Sequence, residues 1–537
     1  MSANDRGTRL TGRPNTYAQN GIVATPHYLA SQAGLRVLQD GGNAVDAIIA
    51  ANAMLNVVYP HQCHIGGDLF AMVWDPRDSS LHGLNASGPA GAGESVERLQ
   101  SLGLSSMPLR GANSVTVPGT VGGWQALADR FGTRELGHVL ASAIAYARDG
   151  APMSKLFARA VAVNTELLKR DAGAAGVFLP QSWKGGDVLR QPALAATFER
   201  VAREGTDGFY RGPVADDIVT TLGALGSAIS HDDLAAYMPE WVTPLRTTYR
   251  GYELLEMPPN TQGPAVLLLA NIAEGWPVTE FGHTTAAGIH AYVGAKHLAW
   301  EERDRHITDP KFYDVPLDRF LNKELATELR NSIDLERVGA QSGAPSEDGD
   351  TVYLCAVDRN GMAVSLIQSI YNNFGSGVVA PEAGILFQNR GAAFSLDPTD
   401  ANVIAPGKRP RHTLIPAMLL KDGTPEIIFG TMGADGQAQT QLQLLLGMVD
   451  FELEPQEAIE TPRWRSTIDP DGRSWLLIEA EVGEDVIAGL RRRGHETVIA
   501  EPWDSNLGHA QAIKIDRERG VLIGGADPRG DGIAAGW

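Results

Sequence analysis

The run from Asn43 to Pro60, NAVDAIIAANAMLNVVYP, limits the possible folds more than any other stretch of the chain. It is apolar nearly all round, so the helix it predicts has no face to offer water and must lie between layers. Asn43 is placed to cap its start, Asp46 sits in the first turn where the helix dipole favours an anion, and Pro60 ends it. The preceding segment, Tyr28 to Gln39, predicts an amphipathic helix stopped at Gly41 and Gly42, where glycine accepts a left-handed cap. With 537 residues and 43% hydrophobic content, the chain has the apolar surface to enclose such a helix. Length alone allows one large α/β unit or several domains.

Glycine-rich turns at Gly66-Gly67 and at Pro118-Gly-Thr-Val-Gly-Gly123 punctuate the next region, and Leu69 to Trp74 predicts a short strand. Residues 134 to 235 are mainly helical in pattern, as in Leu136 to Ala147. The sharpest break is Ser342 to Asp350, SGAPSEDGD, small, acidic and turn-forming. It predicts a mobile linker, taken as 338–350, with nothing to bury. Thr351 to Val357 and Met362 to Ile370 then read as two strands around the Asn360-Gly361 turn, a hairpin. Thr351 would open its first strand.

The balance of 45 Lys+Arg against 64 Asp+Glu gives a formal charge of -19, which would repel phosphate backbones and anionic membranes. Nucleic acid and membrane are therefore not expected as partners. Two cysteines, Cys63 and Cys355, make no disulfide framework or multi-cysteine zinc site. His61-Gln-Cys-His64 reads as packing or loop, and no metal or cofactor is expected. The polar N-terminal stretch lacks a secretory core, and no run of about eighteen apolar residues follows, so a cytoplasmic location is expected. No phosphate loop, H-E-x-x-H helix or G-x-S-x-G elbow occurs. Gly91-Ala-Gly93 lacks a third glycine and reads as a tight turn.

A threonine hydroxyl needs a base beside it to act as a nucleophile. An N-terminal threonine carries one, because its α-amino group has a pKa of about 7.7 to 8.0. Before chain cleavage that nitrogen is an amide, so scission would switch such a site on. On residue type alone, a threonine opening a strand says little, since β-branched residues do so everywhere.

Four segments say more: Asp40-Gly-Gly-Asn-Ala-Val-Asp-Ala47; Pro118-Gly-Thr-Val-Gly-Gly-Trp124; Thr351-Val-Tyr-Leu-Cys-Ala-Val-Asp358 with Asn372-Asn-Phe-Gly-Ser-Gly377; and Pro406-Gly-Lys-Arg-Pro410 with Gly430-Thr-Met-Gly-Ala-Asp-Gly436. In this order they resemble the γ-glutamyltransferase family of N-terminal nucleophile hydrolases over nearly the whole chain. The resemblance implies an α+β fold, a four-layer αββα sandwich, from one precursor that cuts itself between Asp350 and Thr351. Residues 1–350 would be the large subunit and 351–537 the small one, together one structural domain with both supplying strands to the central sheets. An assembly of two processed heterodimers is a further expectation. By the same resemblance Thr351 is the nucleophile, Ser369 stands where the family has a second threonine that hydrogen-bonds it, and Gly433 and Ala434 match the Gly-Gly pair whose N–H groups form an oxyanion hole. Alanine keeps that N–H, and the change is expected to be tolerated where the turn avoids positive φ. A plain loop at 433–436 is the alternative.

The substrate side departs from the family. Ser87 stands in the place of the arginine that grips an α-carboxylate; Tyr371, Arg390 and Ala393 replace the Asn, Gln and Asp around the α-ammonium; His412 and Thr413 replace two serines. Losing the carboxylate at Ala393 and gaining a guanidinium at Arg390 would repel a glutamyl amino group, and Arg390 suits an acyl group that ends in carboxylate. The alternative for Arg390 is a structural or subunit-bridging role, for His412 an ordinary buried histidine, and Arg411 reads as a surface or packing residue. The runs Gln388 to Pro398 and Lys408 to Thr413 are similar to a divergent branch that includes oxamate amidohydrolase, glutaryl-cephalosporin-type acylases and glutathione-hydrolase-like proteins. The implied reaction is cleavage of a small amide through an acyl-threonine, with a γ-glutamyl, glutaryl or oxalyl group passed to water or to an amine. An oxamate-amidohydrolase-like or cephalosporin-acylase-like enzyme with no γ-glutamyl activity is one alternative; an uncut, non-catalytic binding protein of the same fold is another.

Overall fold

The computed structural model describes residues 12–339, 349–469 and 471–537. The Asn43 to Pro60 run forms the helix Ala44–Val58, every residue of it buried. Its start is closed by a capping box in which the Asn43 side chain accepts from the Asp46 N–H and the Asp46 carboxylate accepts from the Asn43 N–H. Asp46 also accepts from the Thr133 hydroxyl at 2.5 Å and the Thr133 N–H at 3.0 Å, tying the helix start to the end of the helix Thr120–Phe131. The amphipathic helix before it spans Tyr28–Gln39, and Gly41 takes the left-handed φ of 85° that ends it.

Two seven-stranded sheets carry the molecule, and both are antiparallel throughout. One runs in the order 533–536, 21–25, 350–358, 363–371, 68–75, 80–86, 240–242; the other 16–18, 521–526, 510–516, 424–431, 417–421, 252–256, 245–249. Each sheet takes strands from both sides of residue 350.

Three apolar clusters fix the packing. Tyr353, Cys355 and Val357 point one way from their strand and meet Met418, Ile428 and Ile513 of the other sheet. Val352, Leu354 and Ala356 point the other way, onto the helix Ala44–Val58 and its neighbours. A period of two with both faces apolar is what a strand sandwiched between layers requires. The second sheet turns its remaining face, including Leu419, Ile427 and Phe429, to the helices Gly263–Glu274 and Ala286–His306. Residues 136–236 are mainly helical, with one two-stranded piece at 151–152 and 188–189.

The expected hairpin is Asp350–Asp358 and Ala363–Tyr371, each boundary one residue from the sequence reading; the open end is longer because Asp350 itself pairs with Tyr371. Of the expected mobile linker 338–350, residues 340–348 lie outside the described residues. Its ends are anchored rather than mobile: the Val338 N–H donates to Arg493 O at 2.8 Å, and Asp350 belongs to the strand.

Polar groups join the buried helix to the hairpin. The Gln368 side-chain oxygen accepts from Asn52 Nδ2 at 2.7 Å and Asn56 Nδ2 at 3.0 Å, while its Nε2 donates to His64 O at 2.7 Å and Thr120 Oγ1 at 3.1 Å. Asn52 also accepts from the Trp124 indole at 2.7 Å. Replacing Gln368 with leucine would leave several buried donors and acceptors unpaired, each worth about 1–3 kcal/mol. Gln368→Leu is therefore expected to lower the thermal unfolding midpoint markedly, read by calorimetry or circular dichroism; an unchanged midpoint would show that the network is dispensable.

Candidate active site

The hairpin contains a register shift between Asp350 and Val352: Asp350 pairs with Tyr371 but Val352 with Gln368. Ser369 and Ile370 thus face the single residue Thr351, a bulge of the kind that re-aims side chains. Its effect is to bring two hydroxyls together. The Thr351 hydroxyl donates to Ser369 Oγ at 3.1 Å, and the Ser369 hydroxyl donates to the carbonyl oxygen of Asp350 at 2.7 Å. The Tyr371 N–H fixes Ser369 by donating to the same Oγ at 2.7 Å. Thr351 and Ser369 are both buried. The relay therefore ends on the carbonyl of the bond that joins residues 350 and 351.

Two glycine-rich segments press onto this point. A Cβ at Gly67 would lie 2.2 Å from Ser369 O, so only glycine allows the approach. Gly67 O in turn accepts from the N–H groups of Gly119 and Thr120, at 2.8 and 3.0 Å.

Gly433 and Ala434 lie at the end of the strand Thr424–Thr431, before the helix Gly436–Leu445. A Cβ at Gly349 would meet Ala434 Cβ at 3.1 Å, which puts this turn beside the same bond. Among the described residues neither the Gly433 nor the Ala434 N–H is taken by a backbone or side-chain acceptor. The arrangement has the makings of an anion cradle, with free N–H groups at the positive end of a helix. The sequence reading made tolerance of alanine conditional on a turn without positive φ; that condition is not met, since φ is 44° at Ala434 and 123° at Gly433. A left-handed alanine costs roughly 1–2 kcal/mol, offset by the anchoring around it. Gln262 Nε2 donates to Ala434 O at 3.3 Å and Thr413 O at 2.9 Å. Gln262 Oε1 accepts from Arg303 at 3.1 Å, and Arg303 is ion-paired in turn with the buried Asp435.

Tyr371, Arg390 and Thr413 come together as one group. The Arg390 guanidinium stacks 3.7 Å from the centre of the Tyr371 ring and its Nη2 donates to Thr413 Oγ1 at 3.0 Å. It is 1% exposed, and both partners lie beyond residue 350. His412 is buried behind them, its Nε2 3.1 Å from Asp68 Oδ2. Burial, reinforced by the nearby Arg390 charge, pushes its pKa well down. The neutral ring thus donates from Nε2 while Nδ1 accepts from the Leu414 N–H at 3.4 Å.

Ser87 is buried in a separate knot, donating to Asn85 Oδ1 at 2.7 Å and accepting from Asn260 at 3.3 Å. Its neighbour Gly88 reaches the group by donating its N–H to Asp68 Oδ1 at 2.9 Å. Arg411 is largely buried and paired with Asp304 at 3.3 Å. His61, Cys63 and His64 are all buried; burial holds both imidazoles neutral, their pKa values lowered to about 3. No group of three or more potential ligands capable of holding a metal ion occurs among the described residues.

Asp68 went unnoticed in the sequence. It opens the strand next to the hairpin, in direct register with Ser369, and its carboxylate gathers Gly88, His412 and Gln388, the last at 3.1 Å. Burial raises its pKa to about 7, against the opposing pull of the Gly88 and Gln388 hydrogen bonds and the Arg390 and Arg409 charges. The only hint was its position after Gly66-Gly67 at a strand start. Gln262 had no comparable signal.

The family model described as gamma-glutamyltranspeptidase matches residues 30–537. A glutathione hydrolase-like YwrD proenzyme of Bacillus subtilis is 41% identical over 524 residues, covering 96% of this chain and 98% of its own length. An oxamate amidohydrolase proenzyme of Klebsiella pneumoniae is 38% identical over 532 residues, with coverage of 96% and 98%. The crystal structure of a cephalosporin acylase from Bacillus halodurans superposes with a TM-score of 0.92 at 37% identity, over 100% of this chain and 99% of that one. The chain belongs to the gamma-glutamyltranspeptidase family.

Proposed function

We propose that the chain is a self-processing amidohydrolase that uses Thr351 first to cut its own backbone and then to cleave a small amide bearing a carboxylate on its acyl group. The observation that carries this reading is the hydroxyl relay from Thr351 through Ser369 to Asp350 O. In the uncut chain, Thr351 Oγ1 attacks the Asp350 carbonyl carbon as its proton passes through Ser369 towards the carbonyl oxygen. Breaking the C–N bond leaves an ester on Thr351 and a protonated nitrogen. Water hydrolyses the ester, giving an Asp350 carboxylate and a free Thr351 amine. That amine then serves as base for the same hydroxyl. In turnover, Thr351 attacks the substrate amide, the Gly433 and Ala434 N–H groups hold the oxyanion, the amine departs, and water or a second amine takes the acyl group. The fold would be the αββα sandwich of N-terminal nucleophile hydrolases, with subunits 1–350 and 351–537.

For the acyl group, Arg390 is the determinant. Stacked on Tyr371 and steered by Thr413, it presents positive charge where a substrate carboxylate can form paired hydrogen bonds. Glutaryl and oxalyl groups satisfy it without the α-ammonium that the guanidinium would repel in a γ-glutamyl group, and the likeness to an oxamate amidohydrolase favours testing oxamate directly.

Denaturing electrophoresis with N-terminal sequencing should show a small fragment beginning Thr351-Val-Tyr, and Thr351→Ala should remain one inactive chain; efficient cutting of that variant would place the nucleophile elsewhere. On the processed enzyme, glutaryl anilide and oxamate should be preferred to γ-glutamyl anilide and glutathione; the opposite order would refute the role given to Arg390.

Asp68 supplies a pH signature. Below about pH 7 its carboxyl is protonated, the positive charge of Arg390 is less offset, and an anionic acyl group binds more tightly. KM for such a substrate should fall as pH drops through 7, and Asp68→Asn should abolish that dependence; a variant that keeps the wild-type profile would exclude Asp68 as its source.

A further inference from the structure

A second cationic cavity lies beside the scissile region, apart from the buried Arg390 group. It has a volume of about 290 Å³, and Arg110, Asn113, Leu167, Arg170 and Ser376 are among the residues that line it. Arg110 uses Nη1 to donate to Asn373 O at 2.7 Å and to Gly375 O, so it rests on the segment that follows Tyr371. Among the described residues its Nε and Nη2 have no acceptor, and Arg170, which is exposed, has no ion pair. One acid also lines the space. Asp171, however, is committed to backbone, its Oδ1 accepting from the N–H groups of Ala174 at 2.8 Å and Val379 at 3.2 Å.

Two guanidinium groups thus share a cavity whose one lining carboxylate, Asp171, forms an ion pair with neither of them among the described residues. Burial lowers the Arg110 pKa to about 10; the Asp350 charge opposes that shift and the Arg170 charge adds to it. Arg110 is therefore electrostatically coupled both to the cut site and to the second cation. The Arg390 group is enclosed and suits an end of the substrate that stays behind as the acyl-enzyme. An amine that must leave or enter needs access to solvent, and the exposed Arg170 puts one side of this cavity at the surface.

Resting on the amidohydrolase reading, we propose that this cavity is the subsite for the amine portion of the substrate, and that Arg110 and Arg170 select amines carrying a carboxylate. Its size suits an amine of amino-acid or single-ring dimensions.

The test compares two amides of each acyl group, the plain anilide and the 4-carboxyanilide, on processed wild type, Arg110→Gln and Arg170→Gln. Wild type should favour the carboxylated amide in kcat/KM, and each substitution should reduce that preference about tenfold, mainly through KM. A wild type with no preference, or a ratio unmoved in both variants, overturns the proposal. Arg170→Gln keeps the result interpretable if Arg110→Gln disturbs the 373–375 backbone. If no amide of any acyl group is cleaved, the amidohydrolase reading fails by itself. The cavity is then read by calorimetric titration of 4-aminobenzoate: binding weakened at least about fivefold by Arg170→Gln supports it, and no binding or equal affinity overturns it.

Discussion

The hydrogen bonds between Gln368 and the pair Asn52 and Asn56 anchor the site to the core. The helix that carries the two asparagines is buried throughout, and the side-chain N–H groups of both reach the hairpin at Gln368. A buried network of this kind tolerates one register. With Gln368 fixed, Ser369 must follow at the bulge, and Thr351 must face it. The backbone of Gly66 and Gly67 then closes from the other side. A requirement of the core, that buried amides be paired, thus sets the position of two hydroxyls to within a hydrogen bond.

Around this fixed point the chain departs repeatedly from relaxed geometry. Tyr371, Phe374 and Ala434 all have positive φ, at 77°, 59° and 44°. Each conformation is uncommon for a residue with a side chain and persists where neighbours over-determine it. Here the neighbours are identifiable: Ser369 holds the Tyr371 N–H, His61 O holds the Phe374 N–H at 2.9 Å, and Gln262 holds Ala434 O. Strain and anchoring coincide where backbone groups must point at one place.

The parts legible in the sequence were the local ones. The capped apolar helix, the hairpin around Asn360-Gly361 and the glycine turns are set by residues within a few positions of each other, and periodicity or turn chemistry reveals them. Thr351, Ser369, Gly433 and Ala434 were picked out through the motifs around them. Asp68 escaped because its significance comes from strand register with Ser369 and from His412, 344 residues away. Arg110 escaped for the same reason, its partners lying more than 260 residues along the chain. The backbone angle of Ala434 was left open because the identity of a residue does not show which conformation its surroundings impose.

Each sheet interleaves strands from before and after residue 350, and this bears on the lifetime of a processed molecule. Cutting between Asp350 and Thr351 removes one covalent bond but none of the ladders, so the native state barely registers it. The unfolded state registers it strongly. An uncut chain finds its fold as a unimolecular event; two fragments must first meet, at a rate that depends on their concentration. Scission would therefore make unfolding hard to reverse under dilute conditions, leaving the persistence of the mature protein to the height of its unfolding barrier rather than to its equilibrium stability.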